Sequence, residues 1–449
     1  MLQPLDSEAS FIIYLDFKSP YAYLAIEPTR RLLSEAGLIA DWRPFVLDIP
    51  SYLGSAKLGK SGKVAEQNRS PEQWSGVKYA YFDCRRYANL RDVTVRGTVK
   101  IWDTNLVATT MFWVKQQESL AEQCKSDSLL MRFLDRVFVP FWKRELDVES
   151  VAQMELVLTD IGASSDGFSD FLSGEGSRAN QIFQTECFNS GIYGVPTFVI
   201  PGSEDAAPEI FFGREHLPRL RWELTGRNGP QPDIAYEPGP EKPSGTQGEE
   251  RSLVVCVDFK SAESFLAIEP TIKACKESEI EIDWRIIKRP PLKEHAMPAD
   301  TSNRGEMHRF FRSRYIARDL ARYAPVELSN LYDEERSDWA HLGLLWLQEV
   351  GEKSMVIDHY IQLVFQRYWV EGRSIDTSDS ISEILQSMDF DARDFLSYLE
   401  KDSDLALLSR QEIDAELSVM TTPTYFLSGE PYQGRQHLPL IMSRLGYTL

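Results

Sequence analysis

The first ordered pattern in the chain is Phe11 to Phe17 (FIIYLDF), an apolar run rich in β-branched and aromatic residues that predicts a buried strand. Ser19-Pro20 follows, a pair that suits a helix start, because Ser can cap and Pro fits the first helical position. Ile39 to Phe45 reads as a second strand, which makes a β-α-β unit and hence a parallel pair. From about Gln73 to Glu186 the apolar spacing is mostly helical, including Leu106 to Lys115 and Leu129 to Trp142. Gly194 to Ile200 (GVPTFVI) is then a strand introduced by Pro, Ile210 to Gly213 is the next, and a last helix starts near His216.

The same pattern occurs twice. Asp16 to Ser19 returns as Asp258 to Ser261, and Leu24 to Thr29 (LAIEPT) as Leu266 to Thr271. Asp41-Trp42-Arg43 recurs at Asp283 to Arg285, Arg86-Tyr87-Ala88 at Arg322 to Ala324, and Val137-Phe138 with Trp142 at Val364-Phe365 with Trp369. Near the ends, Pro196-Thr197 matches Pro423-Thr424, and Gly213-Arg214 with His216-Leu217-Pro218 matches Gly434-Arg435 with His437-Leu438-Pro439. Ordered matches of this length mean two copies of one fold. Between them, Gly226 to Glu250 holds five Pro and five Gly in 25 residues, which is linker composition. The expected organisation is a domain over 1–227, a linker over 228–250 and a second domain over 251–449.

Charge narrows the partners. Acidic residues exceed basic ones by 68 to 49, a formal charge of −19, so the overall field repels nucleic-acid phosphates and anionic membranes. Residues 51–100 run against that trend with ten Lys/Arg and four Asp/Glu, a local surplus that could face a small anion. The five cysteines are odd in number and widely spaced, with no zinc-like pairing, so no metal site is expected and a reducing compartment fits. The opening MLQPLDSEAS has neither a basic nor an apolar signal region, and the expectation is a soluble cytoplasmic protein.

Strand-helix-strand, a helical insertion, then strand-strand-helix is a thioredoxin-type layout. The fold class is therefore α/β, as two tandem thioredoxin-like domains, each with a helical insertion. LDFKSPYAY (Leu15 to Tyr23), GVPTFVI and FFGREHL (Phe211 to Leu217), in that order, resemble the DsbA-like thioredoxin superfamily. More closely they are similar to its branch of 2-hydroxychromene-2-carboxylate isomerases and kappa-class glutathione transferases. The resemblance implies glutathione as co-substrate and a small electrophilic or aromatic compound as substrate. It implies that Ser19 donates a hydrogen bond to the glutathione thiolate and lowers its pKa. It also implies a cis bond at Pro196, with the backbone of Val195 pairing with the cysteinyl part of glutathione. Gly213-Arg214-Glu215 would offer backbone and a carboxylate to the γ-glutamyl end, with Glu where the family has Asp. Lys57, Lys60 and Lys63 lie where the family contacts the glycyl carboxylate. Tyr21, Tyr23 and Trp42 offer an aromatic wall or core packing, while Trp142, Trp369, Cys84 and Cys187 read as core and His216 and His437 as structural.

The two copies agree at ten of the fourteen positions from 16 to 29, and the four differences are consecutive: Pro20, Tyr21, Ala22 and Tyr23 become Ala262, Glu263, Ser264 and Phe265. Glu263 places a carboxylate where a thiolate would sit, and Gln436 replaces Glu215, so the second domain is expected to be a non-catalytic partner, packed with the first as an internal pseudo-dimer. Two further readings stay open. One is a binding or scaffold module without turnover. The other is a thiol-disulfide oxidoreductase, which the absence of cysteine from the turn argues against.

Overall fold

The computed structural model describes residues 2–59, 64–203, 205–234, 252–334, 336–417 and 419–447. Lys60, Lys63 and most of the Pro/Gly-rich stretch lie outside the described residues. Contacts group the chain into two units, Met1–Pro232 with Met297–Arg312, and Asp233–Ala296 with Ser313–Leu449.

The first unit begins β1 (Phe11–Leu15), α1 (Pro20–Ala36), β2 (Ala40–Pro44), then α2 (Ile49–Leu53), β3 (Ala56–Leu58), β4 (Val64–Gln67) and α3 (Pro71–Asn89). The helical insertion continues with α4 (Asn105–Lys115), α5 (Leu120–Gln123), α6 (Leu129–Trp142), α7 (Val151–Ile161), α8 (Phe168–Ser173) and α9 (Glu175–Asn189). The chain returns through β5 (Thr197–Ile200), β6 (Glu209–Phe212) and α10 (Leu217–Leu224). The sheet order is β2-β1-β5-β6, with β1 and β2 parallel and the other neighbours antiparallel. The two predicted strand pairs and the insertion are present. The β3/β4 hairpin is not in the sequence pattern, because its strands are short and β4 is exposed at every position, so no alternation marks it.

Local chemistry explains the elements. All five residues of β1 are buried, as a central strand covered on both faces requires. α1 starts at its Ser19 cap, where Oγ accepts from Ala22 N at 3.2 Å, and stops at Gly37, which takes the left-handed φ of 64°. Pro28 sits inside α1 and cannot bond the Leu24 carbonyl; the Arg91 guanidinium donates to that carbonyl at 2.8 Å instead.

The edge strand β2 carries a buried ion cluster. Arg43 Nη2 and Lys115 Nζ each lie 2.6 Å from an oxygen of Asp41. Lys115 also donates to the Trp42 carbonyl, and Arg43 donates to the carbonyls of Gln3 and Asp6, fastening the N-terminal segment to the sheet. Trp42 is thereby wholly inside and forms no wall of a site.

The second copy repeats the plan: β7 (Ser252–Val257), α11 (Ala262–Glu277), β8 (Glu281–Ile286), α12 (Arg304–Tyr323, of which the part from Ser313 belongs to the second unit), α13 (Asp338–Glu349), α14 (Ser354–Phe365), α15 (Ser378–Ser387), α16 (Ala392–Leu417), β9 (Thr424–Leu427), β10 (Glu430–Gln433) and α17 (Leu438–Arg444). Its sheet order, β8-β7-β9-β10, is that of the first. Gln348 takes the place of Lys115 and donates to the Trp284 carbonyl at 2.9 Å, so one backbone contact survives while the ion cluster shrinks to a half-exposed Arg285–Asp283 pair at 2.6 Å.

Burial alone would raise the Asp41 carboxyl, but Lys115 and Arg43 outweigh it and hold the pKa below the usual value. A depressed folded pKa means that the unfolded chain binds the extra proton, so this contribution is complete above about pH 4 and is lost as pH falls through the folded value. Asp41→Asn is expected to cost about 3–5 kcal/mol near neutrality, since it strands two buried cations. In urea unfolding the gap to wild type should close as the pH is lowered below about 4; a gap independent of pH would refute this account.

Candidate functional site

The site is built on a buried carboxylate. Asp16, at the end of β1, is 1% exposed and accepts from Leu47 N at 2.7 Å, Thr104 Oγ1 at 2.7 Å and Lys18 N at 3.2 Å. It therefore joins β1 to the loop after β2 and to the N-cap of α4, and it fixes the turn at Lys18. Ser19 N closes that turn on the Asp16 carbonyl at 3.0 Å, while Phe17 drops into the core 4.7 Å from the Phe138 ring.

Ser19 follows at the head of α1. A hydroxyl can accept twice and donate once. Among the described residues Ser19 Oγ accepts from Ala22 N and donates to none. The first turn of α1 carries no acidic residue, so the helix dipole there favours an anion. The corresponding turn of the second unit keeps the cap bond but differs in the hydroxyl proton and in charge. Ser261 Oγ accepts from Ser264 N at 3.1 Å and donates to the Thr422 carbonyl at 3.2 Å, which commits its proton. Glu263 occupies the first turn of α11 and pairs with Arg435 at 3.7 Å.

The Val195-Pro196 bond is cis, as is Thr422-Pro423. The strand is held by Gly213 N donating to the Pro196 carbonyl at 2.9 Å and by Thr197 Oγ1 donating to the Gly194 carbonyl at 2.7 Å. Gly194 must be small: a Cβ there would stand 2.5 Å from the Phe212 ring. Gly213 has a φ of 111°, and the Glu215 carboxylate folds back over it.

The Arg214 side chain turns inward, 1% exposed, with its guanidinium 4.6 Å from the Tyr87 ring centre and 5.9 Å from that of Tyr21. Tyr21 donates from its hydroxyl to Asp83 at 3.0 Å, and Asp83 is paired with Arg86. This buried cage braces the turn from behind. The second unit retains Arg435 over Tyr323 and Asp319 with Arg322, and Glu263 has replaced Tyr21 as the link.

Ser19, Lys18 and Tyr21 open on a cavity of about 710 Å³, within the range of small-molecule sites. Trp74, Tyr81 and Trp102 supply aromatic walls, and Arg69, Lys78, Arg85 and Lys100 supply charge. Among the described residues no Asp or Glu lines it. Four of these cations belong to the basic surplus at 51–100, so that compositional signal marked the cavity although no single motif did. Val195, Pro196, Arg214 and Glu215 are not among its lining residues, and neither is His216, which is buried against Phe211. Tyr23 is half-buried, stacked on Phe138 at 5.4 Å, and is not among the lining residues.

All five cysteines are free thiols and none lines the cavity. Burial pushes the Cys187 thiol up to about 12. Among the described residues no cluster of three His, Cys, Asp or Glu is placed to hold a metal, and no helix is long and apolar enough to cross a membrane.

With the doubled fold, the cis-proline strands and a serine at the head of α1 in hand, the class of protein follows. A family profile described as "DSBA-like thioredoxin domain" matches residues 11–225 and again 253–446, and the chain belongs to that family. Among individual proteins it is similar to 2-hydroxychromene-2-carboxylate isomerase of Sphingobium xenophagum, with 24% identity over 207 residues, covering 45% of this chain and 92% of the relative. Similar solved structures include a 2-hydroxychromene-2-carboxylate isomerase (20% identity, 43% of this chain, 94% of that one, TM-score 0.35). A second is the cytosolic disulfide reductase DsbM from Pseudomonas aeruginosa with GSH (12% identity, 40% and 88%, TM-score 0.30).

Removing the Asp16 carboxylate strands two backbone N–H groups and a hydroxyl, so Asp16→Ala is expected to cost about 3 kcal/mol or more, against about 1 kcal/mol for Thr104→Val. Urea denaturation measures both, and equal costs would mean that Asp16 is not the common anchor.

Proposed function

We propose that the first unit binds glutathione and directs its thiolate at a small electrophilic, aromatic compound, as an isomerase or a transferase. One observation carries the reading: the Ser19 hydroxyl is buried at the cavity with its proton uncommitted, whereas the twin hydroxyl of Ser261 is bonded to Thr422. The similarity to a 2-hydroxychromene-2-carboxylate isomerase supports it.

Each residue then has a physical task. Ser19 donates to the sulfur, and a hydrogen bond to a charged acceptor is about twice as strong as a neutral one, so it favours thiolate over thiol. The head of α1 adds its dipole. The Val195 backbone beside the cis Pro196 pairs with the cysteinyl segment, while the Arg214 backbone and the Glu215 carboxylate meet the γ-glutamyl end. Glutathione supplies the nucleophile: its sulfur bonds to an electrophilic carbon. In an isomerisation that bond breaks again after rearrangement, and in a transfer the adduct leaves as product. The aromatic walls and acid-free lining of the cavity suit a flat substrate with an anionic group.

Disulfide exchange through this turn lacks its chemistry, since no thiol is present at Ser19 to Ala22. Calorimetric titration of glutathione is expected to show one site per chain. Ser19→Ala should weaken it by about tenfold or more, as expected for a lost bond to a charged group, and Ser261→Ala should leave it unchanged. If wild type takes up no glutathione at millimolar concentration, the enzyme reading fails and a scaffold role leads.

A further inference from the structure

The residue before Ser19 has a role that the serine does not explain. The Lys18 side chain is 6% exposed, yet it lines the cavity beside Ser19. An ammonium carries three donors and no acceptor. Among the described residues its only ionic neighbour is Asp16, at 3.5 Å, and it donates no hydrogen bond to any of them. Asp16 is already engaged by Leu47 N, Thr104 Oγ1 and the Lys18 backbone. Taking a cation out of water is costly without a well-placed anion, and a lysine whose task was only to neutralise Asp16 would bond it directly.

The second unit provides the comparison. Lys260 stands at the same place in the same Asp-Phe-Lys-Ser run, and its Nζ donates to the Asp333 carbonyl at 2.6 Å. The lysine is thus tied down in the unit whose serine is also tied down, and it faces a cavity in the unit whose serine has a proton to give. Among the described residues no acidic side chain lines the cavity to compete for it.

We infer that Lys18 is the counter-charge for the sulfur anion that Ser19 holds. This rests on the glutathione reading above. When glutathione binds, its thiol proton leaves to water, the sulfur keeps the electron pair, and the Lys18 ammonium and the Ser19 hydroxyl face that negative centre from consecutive positions of one turn. Lys18 transfers no proton in this step.

The test is the ultraviolet thiolate absorbance of bound glutathione against pH in wild type, Lys18→Met and Lys18→Arg. Lys18→Met is expected to raise the midpoint by about one pH unit, a tenfold loss of thiolate at fixed pH, and Lys18→Arg to restore most of it. S-methylglutathione, which has no ionisable sulfur, should bind wild type and Lys18→Met alike. An unmoved midpoint, or an equal loss of S-methylglutathione binding, overturns the inference, the latter by showing that Lys18 meets another part of the ligand. A lysine that only supports the fold would lower the thermal midpoint without moving the thiolate titration. Failure of wild type to bind either peptide sinks the glutathione reading by itself. Lys18 is then judged with anilinonaphthalene sulfonate, an apolar anion: a loss of about fivefold or more in Lys18→Met sustains an anion-holding lysine, and equal affinity overturns it.

Discussion

The Asp16 carboxylate is the constraint on which the rest of the site depends. Two backbone N–H groups and one hydroxyl from three separate parts of the first unit converge on it. A buried carboxylate demands such donors, and they can reach it only when β1, the loop after β2 and the start of α4 are all in place. The turn that presents Lys18 and Ser19 is therefore set by tertiary structure as a whole. In the second unit Asp258 keeps the two backbone donors, but Ser337, in the place of Thr104, turns to His341 at 3.2 Å. Burial pushes the Asp258 carboxyl upward. The anchor survives there with one donor fewer.

The two units together read as an internal comparison. Fold, cis-proline strands, the arginine cage and the DFKS run are common to both, so none of these distinguishes one turn from the other. What differs is the destination of a few protons. Ser261 and Lys260 each donate to a backbone carbonyl, and Glu263 fills the head of α11 with a negative charge that Arg435 neutralises. The Ser261 hydroxyl, the Lys260 ammonium and the Glu263 carboxylate of that turn each have a partner within the protein. In the first unit the matching groups face a cavity.

Electrostatics points the same way at a larger scale. A chain with a net charge of −19 has a cavity whose lining, among the described residues, holds five cationic residues and no acid. Such an inversion of the global field sets this cavity apart electrostatically from the acidic remainder of the chain.

How much of this was legible beforehand depends on the range of the interactions. The strands, the start of α1 at Ser19, the span of α6 and the duplication were legible because each follows from local spacing, capping chemistry or direct repetition. Ser19 itself was visible through the motif around it, and the basic surplus at 51–100 pointed to the cavity without its shape. The β3/β4 hairpin was not visible, since short exposed strands leave no period. Nor was the placement of Trp42 inside and of the Arg214 side chain behind Tyr21, because those depend on partners 73 and 127 positions away in Lys115 and Tyr87. Sequence by itself determined that two similar domains form and that only one keeps the serine-proline turn. Only tertiary structure decided which hydroxyl keeps its proton uncommitted and which ammonium faces a cavity, because a donor's partner is chosen by whatever the fold brings within about 3 Å of it.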